Sequence, residues 1–308
     1  MKSCRVYLIF SIIYTISLWS ATLKPFTLFD NYTHPQIDSI KILDAKELIP
    51  SKKENSLHEL SGMVYKNNIL YAINDQGRLF RLSLNIQHDT IASLQLNDSF
   101  SLRDTKGKLL KHPQQDAEGL AWYNNHLLIS FERNPRIVEY SLGGIALHSI
   151  KLPKKLRKKR NYQGSNKMLE ALVYLPEYGF ITAPEKPLKK SKKSLHTLYA
   201  EDKIWHFKAQ GDITGLEVID QTKLLILLRH YSFFGKRFTS LVTLYLDRCD
   251  KKRVCQTQLL AQLNEKDGWH IDNFEGICKV APNKYLMVSD DNNSFFQKTL
   301  FVLFEIMN

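Results

Sequence analysis

Along the chain one phrase recurs in which a polar residue and a Gly or Ala lead into a short apolar strand. It reads ELSGMVY at 59–65, DAEGLAWY at 116–123, MLEALVYL at 168–175, DITGLEVI at 212–219 and NFEGICKV at 273–280. Aligned on the small residue, the polar position holds Ser61, Glu118, Glu170, Thr214 and Glu275, at intervals of 57, 52, 44 and 61 residues. Intervals of this size belong to a propeller array, one sheet per repeat. Three further strand-like runs follow each phrase, as in ILYAIN, RLFRLSL and TIASLQL after GMVY. The fifth unit has only GICKV, KYLMVS and TLFVLFEI, one strand short, and IDSIKILDAKEL at 37–48 is placed to supply it. The expected fold is therefore all-β. It is a β-propeller of five four-stranded blades, with six as the alternative count, closed by an N-terminal strand that pairs with the last blade and removes the open sheet edges.

If each phrase opens the innermost strand of a blade, the second strand returns to the same mouth of the central channel. The sequence turns polar again at that return: Asn74 and Asp75, Glu132 and Arg133, Glu185 and Lys186, Arg229 and His230, Asp290 and Asp291. Two rings of polar and charged residues thus face one opening. Acids at such turns also serve as caps for backbone N–H groups around a wet channel. Three glutamates and two hydroxyls converging on one axis, however, repel and raise each other's pKa. A hard cation with oxygen ligands, calcium first, relieves that repulsion, and one central ion held by Ser61, Glu118, Glu170, Thr214 and Glu275 is expected.

The phrases LSGMVY, DAEGLAWY and DNFEGI, with SDDNNSFFQKTLFVLF near the C-terminus, resemble the phytase-like domain family described as having esterase-like activity. The resemblance covers residues 56 to 306 and is most specific from Asp272 to Phe304. The order Ser, Glu, Glu, Thr, Glu is also similar, more distantly, to calcium-activated nucleotidases (apyrases), five-bladed propellers with a central calcium. Carried over by position, that second likeness nominates the same five side chains. One departure is visible. The phytase-like family usually shows Leu-Glu-Arg in the fourth unit, where this chain reads Leu227, Leu228, Arg229, so an acid is missing.

Taken with the mixed-charge mouth, the resemblance implies a phosphoester hydrolase. Arg133, Lys186 and Arg229 are expected to neutralise phosphate charge, and Asp75 or Asp290 to act as general base. His230 is a candidate acid, or only a surface residue. The alternatives are a non-catalytic propeller with a structural ion that binds a partner or anionic ligand, and a sugar- or lactone-directed hydrolase. No Gly-x-Ser-x-Gly elbow, Walker loop, dinucleotide fingerprint or His-Glu-x-x-His occurs, which excludes the active sites built on those motifs.

Lys2 and Arg5 precede an uncharged apolar run of 16 residues at 6–21, the layout of a secretory signal or, uncleaved, of a membrane anchor. Residues 1–22 are read as that segment and 23–308 as a single domain, periplasmic or secreted, or else anchored and facing outside the cytoplasm. Cys249 and Cys255 flank a polar hairpin connection and are expected to form a disulfide, while Cys278 reads as a core residue and no zinc spacing is present. The chain of 308 residues is 44% apolar with a net charge of +12. Much of that charge lies in KKLRKKR at 154–160 and KPLKKSKK at 186–193. These runs are either solvated loop charge or an attractor of an anionic ligand or membrane surface. Nucleic acid is not expected, because no aromatics alternate with the lysines. A monomer acting on a small anionic phosphoester is expected, touching membrane only through an uncleaved N-terminal segment.

Overall fold

The computed structural model describes residues 22–30, 36–49, 57–192, 194–231 and 237–307. Among these residues it contains strands and two short 3-10 turns, with no α-helix. The leader expected over residues 1–22 lies outside the described residues as far as residue 21. No helix among the described residues is long and apolar enough to cross a membrane.

Strands β1 (Thr22–Pro25), β2 (Gln36–Ile37) and β3 (Ile40–Ile49) precede the first phrase. Blade I is β4 (Leu60–Lys66), β5 (Ile69–Asn74), β6 (Arg78–Gln87) and β7 (Thr90–Ser101). Blade II is β8 (Ala117–Tyr123), β9 (His126–Phe131), β10 (Arg136–Tyr140) and β11 (Ala146–Ile150). Blade III is β12 (Leu169–Leu175), β13 (Gly179–Pro184), β14 (Leu195–Tyr199) and β15 (Ile204–Lys208). Blade IV is β16 (Asp212–Asp220), β17 (Lys223–Tyr231), β18 (Arg237–Cys249) and β19 (Cys255–Asn264). Blade V is β20 (Asn273–Ala281), β21 (Lys284–Asp290) and β22 (Leu300–Ile306), with β3 as its fourth strand. The five-bladed propeller is thus closed as the sequence led us to expect, by β3 antiparallel to β22, Phe301 opposite Lys46 and Ile306 opposite Ile40. β1 adds one more strand outside β3.

The apolar runs are nearly continuous because each sheet is buried on both faces. The core divides into clusters between successive blades, such as Leu60, Phe80, Leu286 and Phe301 between V and I, and Ile181, Ile213, Leu228 and Leu244 between III and IV. Tight hairpins inside the blades use Asn67–Asn68 and Asn124–Asn125, all at positive φ, which asparagine tolerates better than most residues. Cys249 and Cys255 face each other across β18 and β19 and form the disulfide, and Cys278 is buried and free.

The recurring phrase has a geometric cause. In every blade the register between first and second strands slips at the polar and small residues: between Leu60 and Met63, Ala117 and Leu120, Leu169 and Ala171, Ile213 and Gly215, Phe274 and Gly276. Such a bulge sets two residues against one and re-aims the side chain that precedes the small residue. The small residue then lies against the next blade. A Cβ added to Gly62 would stand 2.5 Å from the Glu118 carbonyl oxygen, on Gly119 2.8 Å from that of Glu170, on Gly215 2.9 Å from that of Glu275, and on Gly276 2.6 Å from that of Ser61. The last contact joins blade V to blade I and closes the ring.

Candidate functional site

The bulges bring Ser61, Glu118, Glu170, Thr214 and Glu275 to equivalent places on the innermost strands. Glu118, Glu170 and Glu275 each offer a carboxylate oxygen within 4.8 Å of the others'. Thr214 instead donates its hydroxyl to the Phe274 carbonyl at 2.9 Å, tying blade IV to blade V. Just beneath this ring the channel narrows to a void of about 10 Å³, bordered by Ser61, Glu118, Thr214 and Glu275, the volume of one water or ion. Above it opens a cavity of about 680 Å³ into which Ser61, Glu118, Glu170 and Glu275 face.

A second ring lies one step nearer the mouth, and strand pairing shows its members. Asp212 is opposite Arg229 and Asn273 opposite Asp290, while the Glu132 and Glu185 N–H groups donate to the Asp116 and Met168 carbonyls, the same step in blades II and III. Leu60 opposite Asn74 puts Asp75 at this level in blade I. The ring is therefore Asp75, Glu132, Glu185, Arg229 and Asp290, all lining the cavity. Of the five residues nominated at the mouth, Asp75, Arg229 and Asp290 belong to it. Arg133 lies one residue further on, where it still borders the cavity and donates from Nε to Asp116 at 2.7 Å. Lys186 is not brought to the cavity lining; its ammonium lies 3.2 Å from Asp212. Sequence reasoning saw both polar pairs, but took the second member where alternation along the strand aims the first one inward. Lys167, which pairs with Glu185 at 2.9 Å, and Asn273 carried no signal before the fold was known.

The second ring explains the fourth-unit departure. Leu228 is packed in the apolar cluster between blades III and IV at 1% exposure, so its replacement of an acid takes nothing from the cavity. Arg229 enters the cavity instead. Its guanidinium donates to Glu275 and Asn273 and, at 3.2 Å, to Glu185. Burial alone would lower its pKa, but Glu275, Glu170 and Glu185 reverse that and hold it protonated. Asn273 bridges Glu275 at 2.8 Å and Asp290 at 3.3 Å. His230 turns away and stacks on Phe238.

Acids outnumber cations here, eight carboxylates against four basic side chains on the lining. Burial, then repulsion from Glu170, Glu275 and other acids, pushes Glu118 well above the ordinary carboxylate range; burial, then Glu185 and Glu275, does the same to Glu170. Burial first and Asp116 second raise Glu132 to about 8. Burial and Glu59 raise Asp75 to about 7, and burial and Glu275 raise Asp290 to about 9. Asp75 Oδ1 and Glu185 Oε2 are buried with no hydrogen-bond partner among the described residues. Crowded carboxylates with unused lone pairs fit a divalent hard cation, which answers both the repulsion and the missing partners. The opposite mouth holds a cavity of about 780 Å³, but its walls are chiefly apolar, and among the described residues Lys66, Glu217, Asp220 and Lys279 are its charged lining, with no cluster of three acids.

The family model described as phytase-like, esterase-like activity of phytase, matches residues 55–293. No protein of curated function matches the chain. Among solved structures, glutaminyl cyclase from Myxococcus xanthus is 12% identical, with 89% of this chain and 100% of that one covered and a TM-score of 0.47. A structural-genomics protein of unknown function from Bacteroides thetaiotaomicron is 11% identical, covering 85% and 72%, with a TM-score of 0.45. The Cps50 (Swd1) β-propeller domain from Myceliophteria thermophila is 8% identical, covering 93% and 100%, with a TM-score of 0.39. At such identities none of these bears on activity.

Proposed function

The chain belongs to the phytase-like family, and from that premise we propose that it is an exported, calcium-binding propeller that hydrolyses phosphoesters at the mouth of its central channel. The observation that carries the reading is the cluster of Glu118, Glu170 and Glu275, carboxylates drawn within 4.8 Å by the bulges of three different blades. With Ser61 they would hold the ion, and Thr214, whose hydroxyl gives its proton to the Phe274 carbonyl, keeps its oxygen lone pairs for the same ion. Bound calcium supplies positive charge that polarises a phosphoryl oxygen in a site otherwise too acidic for an anion.

The chain's own groups do the rest. Arg133 spends Nε on Asp116 and is 40% exposed, which leaves its two terminal nitrogens for a phosphate, and the Lys167 ammonium, paired with Glu185, adds positive charge beside it. Asp75, which lines the cavity with one oxygen unpartnered among the described residues, takes the proton of attacking water. Asp290, which lines the same cavity and accepts from Asn273 at 3.3 Å, serves as the acid toward the leaving oxygen. Arg229 is engaged by Glu275, Asn273 and Glu185 and acts as a positioning residue.

That engagement favours a second reading, a non-catalytic propeller whose ion and Arg229 are both structural. A panel of phosphomonoesters, nucleotides and simple carboxylic esters assayed with calcium separates the two. Turnover abolished by Asp75→Asn and reduced by Arg133→Ala, in variants that melt like the parent, supports the hydrolase. Absence of turnover above the Asp75→Asn background on every compound rejects it and leaves a binding surface. Metal content is read on the same samples, and Glu118→Gln should lower it.

A further inference from the structure

The strand ends decide which loops share a face. β9, β11, β13 and β21 all finish on the cavity side, at Phe131, Ile150, Pro184 and Asp290, so the connections after them surround the mouth. Residues 151–160 hold seven cations and no acid. Lys189, Lys190 and Lys192 belong to the neighbouring loop and are exposed, as are Lys154, Lys155 and 157–160.

The two runs, read from sequence as separate stretches, form one platform. The Lys189 N–H donates to the Asn161 carbonyl at 2.8 Å and Gln163 Nε2 to the Pro187 carbonyl at 2.7 Å. Leu152, Leu156 and Leu188 anchor both loops in the core cluster between blades II and III. Among the described residues, the ion pairs around this part of the mouth, Arg133 with Asp116, Lys167 with Glu185 and Lys186 with Asp212, leave out Lys154, Lys155, Lys158, Lys159, Lys189, Lys190 and Lys192. A fixed platform of unpaired cations is a self-repelling arrangement that an anionic partner relieves.

Across the mouth, blade V stands opposite the junction of blades II and III in the ring of five. Its loop after Asp290 presents Phe295 at 97% and Phe296 at 91% exposure. The loop is braced by Asx hydrogen bonds, Asn292 N–H to Asp290 at 2.7 Å and Asn293 N–H to Asp291 at 3.0 Å. Phe296 also borders the cavity. On the same rim, β1 begins at Thr22 opposite Ile49, two residues past the Glu47 that faces Leu300, and in sequence it follows the apolar run 6–21.

We propose that this face docks on an anionic phospholipid bilayer, with the basic platform against the headgroups, Phe295 and Phe296 at the acyl boundary, and the cavity mouth between them. Cations alone suit any polyanion. Two neighbouring phenyl rings held fully in water suit a surface that is charged outside and apolar a few ångströms deeper. Stacking on nucleic-acid bases would instead want aromatics set among the cations. The inference is independent of whether the cavity hydrolyses anything.

The test is flotation of the full chain with phosphatidylcholine vesicles and with vesicles containing about one quarter phosphatidylglycerol, at about 0.1 M and about 0.5 M salt. The N-terminal segment, Lys2 and Arg5 included, contributes alike to parent and variants, so the change in the vesicle ratio between parent and platform variant reports the platform. Binding should favour the anionic vesicles and weaken with salt. Changing Lys154, Lys155, Lys158 and Lys159 together to Gln should lower that preference, by about fivefold per residue. Phe295→Ser with Phe296→Ser should weaken binding to both vesicles while the salt dependence persists. Lys251→Gln with Lys252→Gln, on the opposite rim, should change neither. The proposal is overturned if the anionic preference is absent, if the platform variant keeps it undiminished, or if the serine pair changes nothing. It is overturned too if a short DNA duplex competes the chain off the anionic vesicles at equal charge, which would mark a general polyanion site.

Discussion

Arg229→Met tests the account of the second ring most directly. The guanidinium is 14% exposed and serves two carboxylates, Glu275 and Glu185, which are 11% and 2% exposed. Removing one partner of a buried pair costs about 3–5 kcal/mol, because the charge left behind has lost both water and its counterion. Two carboxylates are left here, which places the cost in the upper part of that range for protein stripped of calcium. In a chain of this size about 2–4 °C accompany each kcal/mol, so the melting temperature should fall by about 10 °C or more. Methionine fills similar volume, which keeps the packing loss small. Calcium at about a hundredfold over its dissociation constant restores about 2.7 kcal/mol to a protein that binds it only when folded. Losing the guanidinium beside Glu275 also removes a cation that competes with calcium, so the variant should bind calcium more tightly and gain more from it than the parent does. Arg229→Lys keeps the charge but not the planar fork and should fall between the two. The assay is thermal and urea unfolding of the parent and both variants in chelator and in calcium. A loss below about 1 kcal/mol for Arg229→Met in chelator would refute the reasoning, since such a value belongs to a solvent-screened pair.

Three further outcomes are expected. In chelator, stability should decline as pH rises: Asp75, Glu132 and Asp290 are lifted to about 7, 8 and 9, so the folded state keeps protons that the unfolded chain has already released, and stability is lost through that window. Urea midpoints at pH 6 and pH 9 read this, and saturating calcium should flatten the slope. Gly276→Ala should destabilise by about 1–3 kcal/mol, since its Cβ would meet the Ser61 carbonyl oxygen at 2.6 Å and Val288 Cγ1 at 2.7 Å, and equal melting of parent and variant would contradict the ring contact. Thiol labelling of unfolded, unreduced protein should find Cys278 reactive and Cys249 and Cys255 blocked, and reduction of this short loop should cost about 2 kcal/mol by urea titration.

Much of the architecture was legible in one dimension. The five phrases, the short fifth unit and the spare strand at 37–48 led to five blades and their closure, because a blade needs four strands and a bulge at its inner edge needs a small residue wherever backbones meet at the axis. The first ring was legible for the same reason, as the polar residue is tied to its glycine by adjacency. The second ring was legible only as polar pairs. Which member faces inward depends on the register at the strand end, and that register is altered by the bulge on the partner strand. Hence Glu132 and Glu185, rather than Arg133 and Lys186, stand in the ring.

What tertiary structure alone decided is how charges from separate blades meet. Arg229 reads as a phosphate ligand until Glu275 from blade V and Glu185 from blade III are seen to claim it. The missing acid at Leu228 reads as a lost function until that side chain is found in the apolar core. The two lysine runs read as loose loop charge until Asn161 and Pro187 bind them into one surface. Local pattern determines strands and turns because those depend on neighbours along the chain. Electrostatic partnership depends on neighbours in space, and in a ring those come from residues tens to hundreds of positions away.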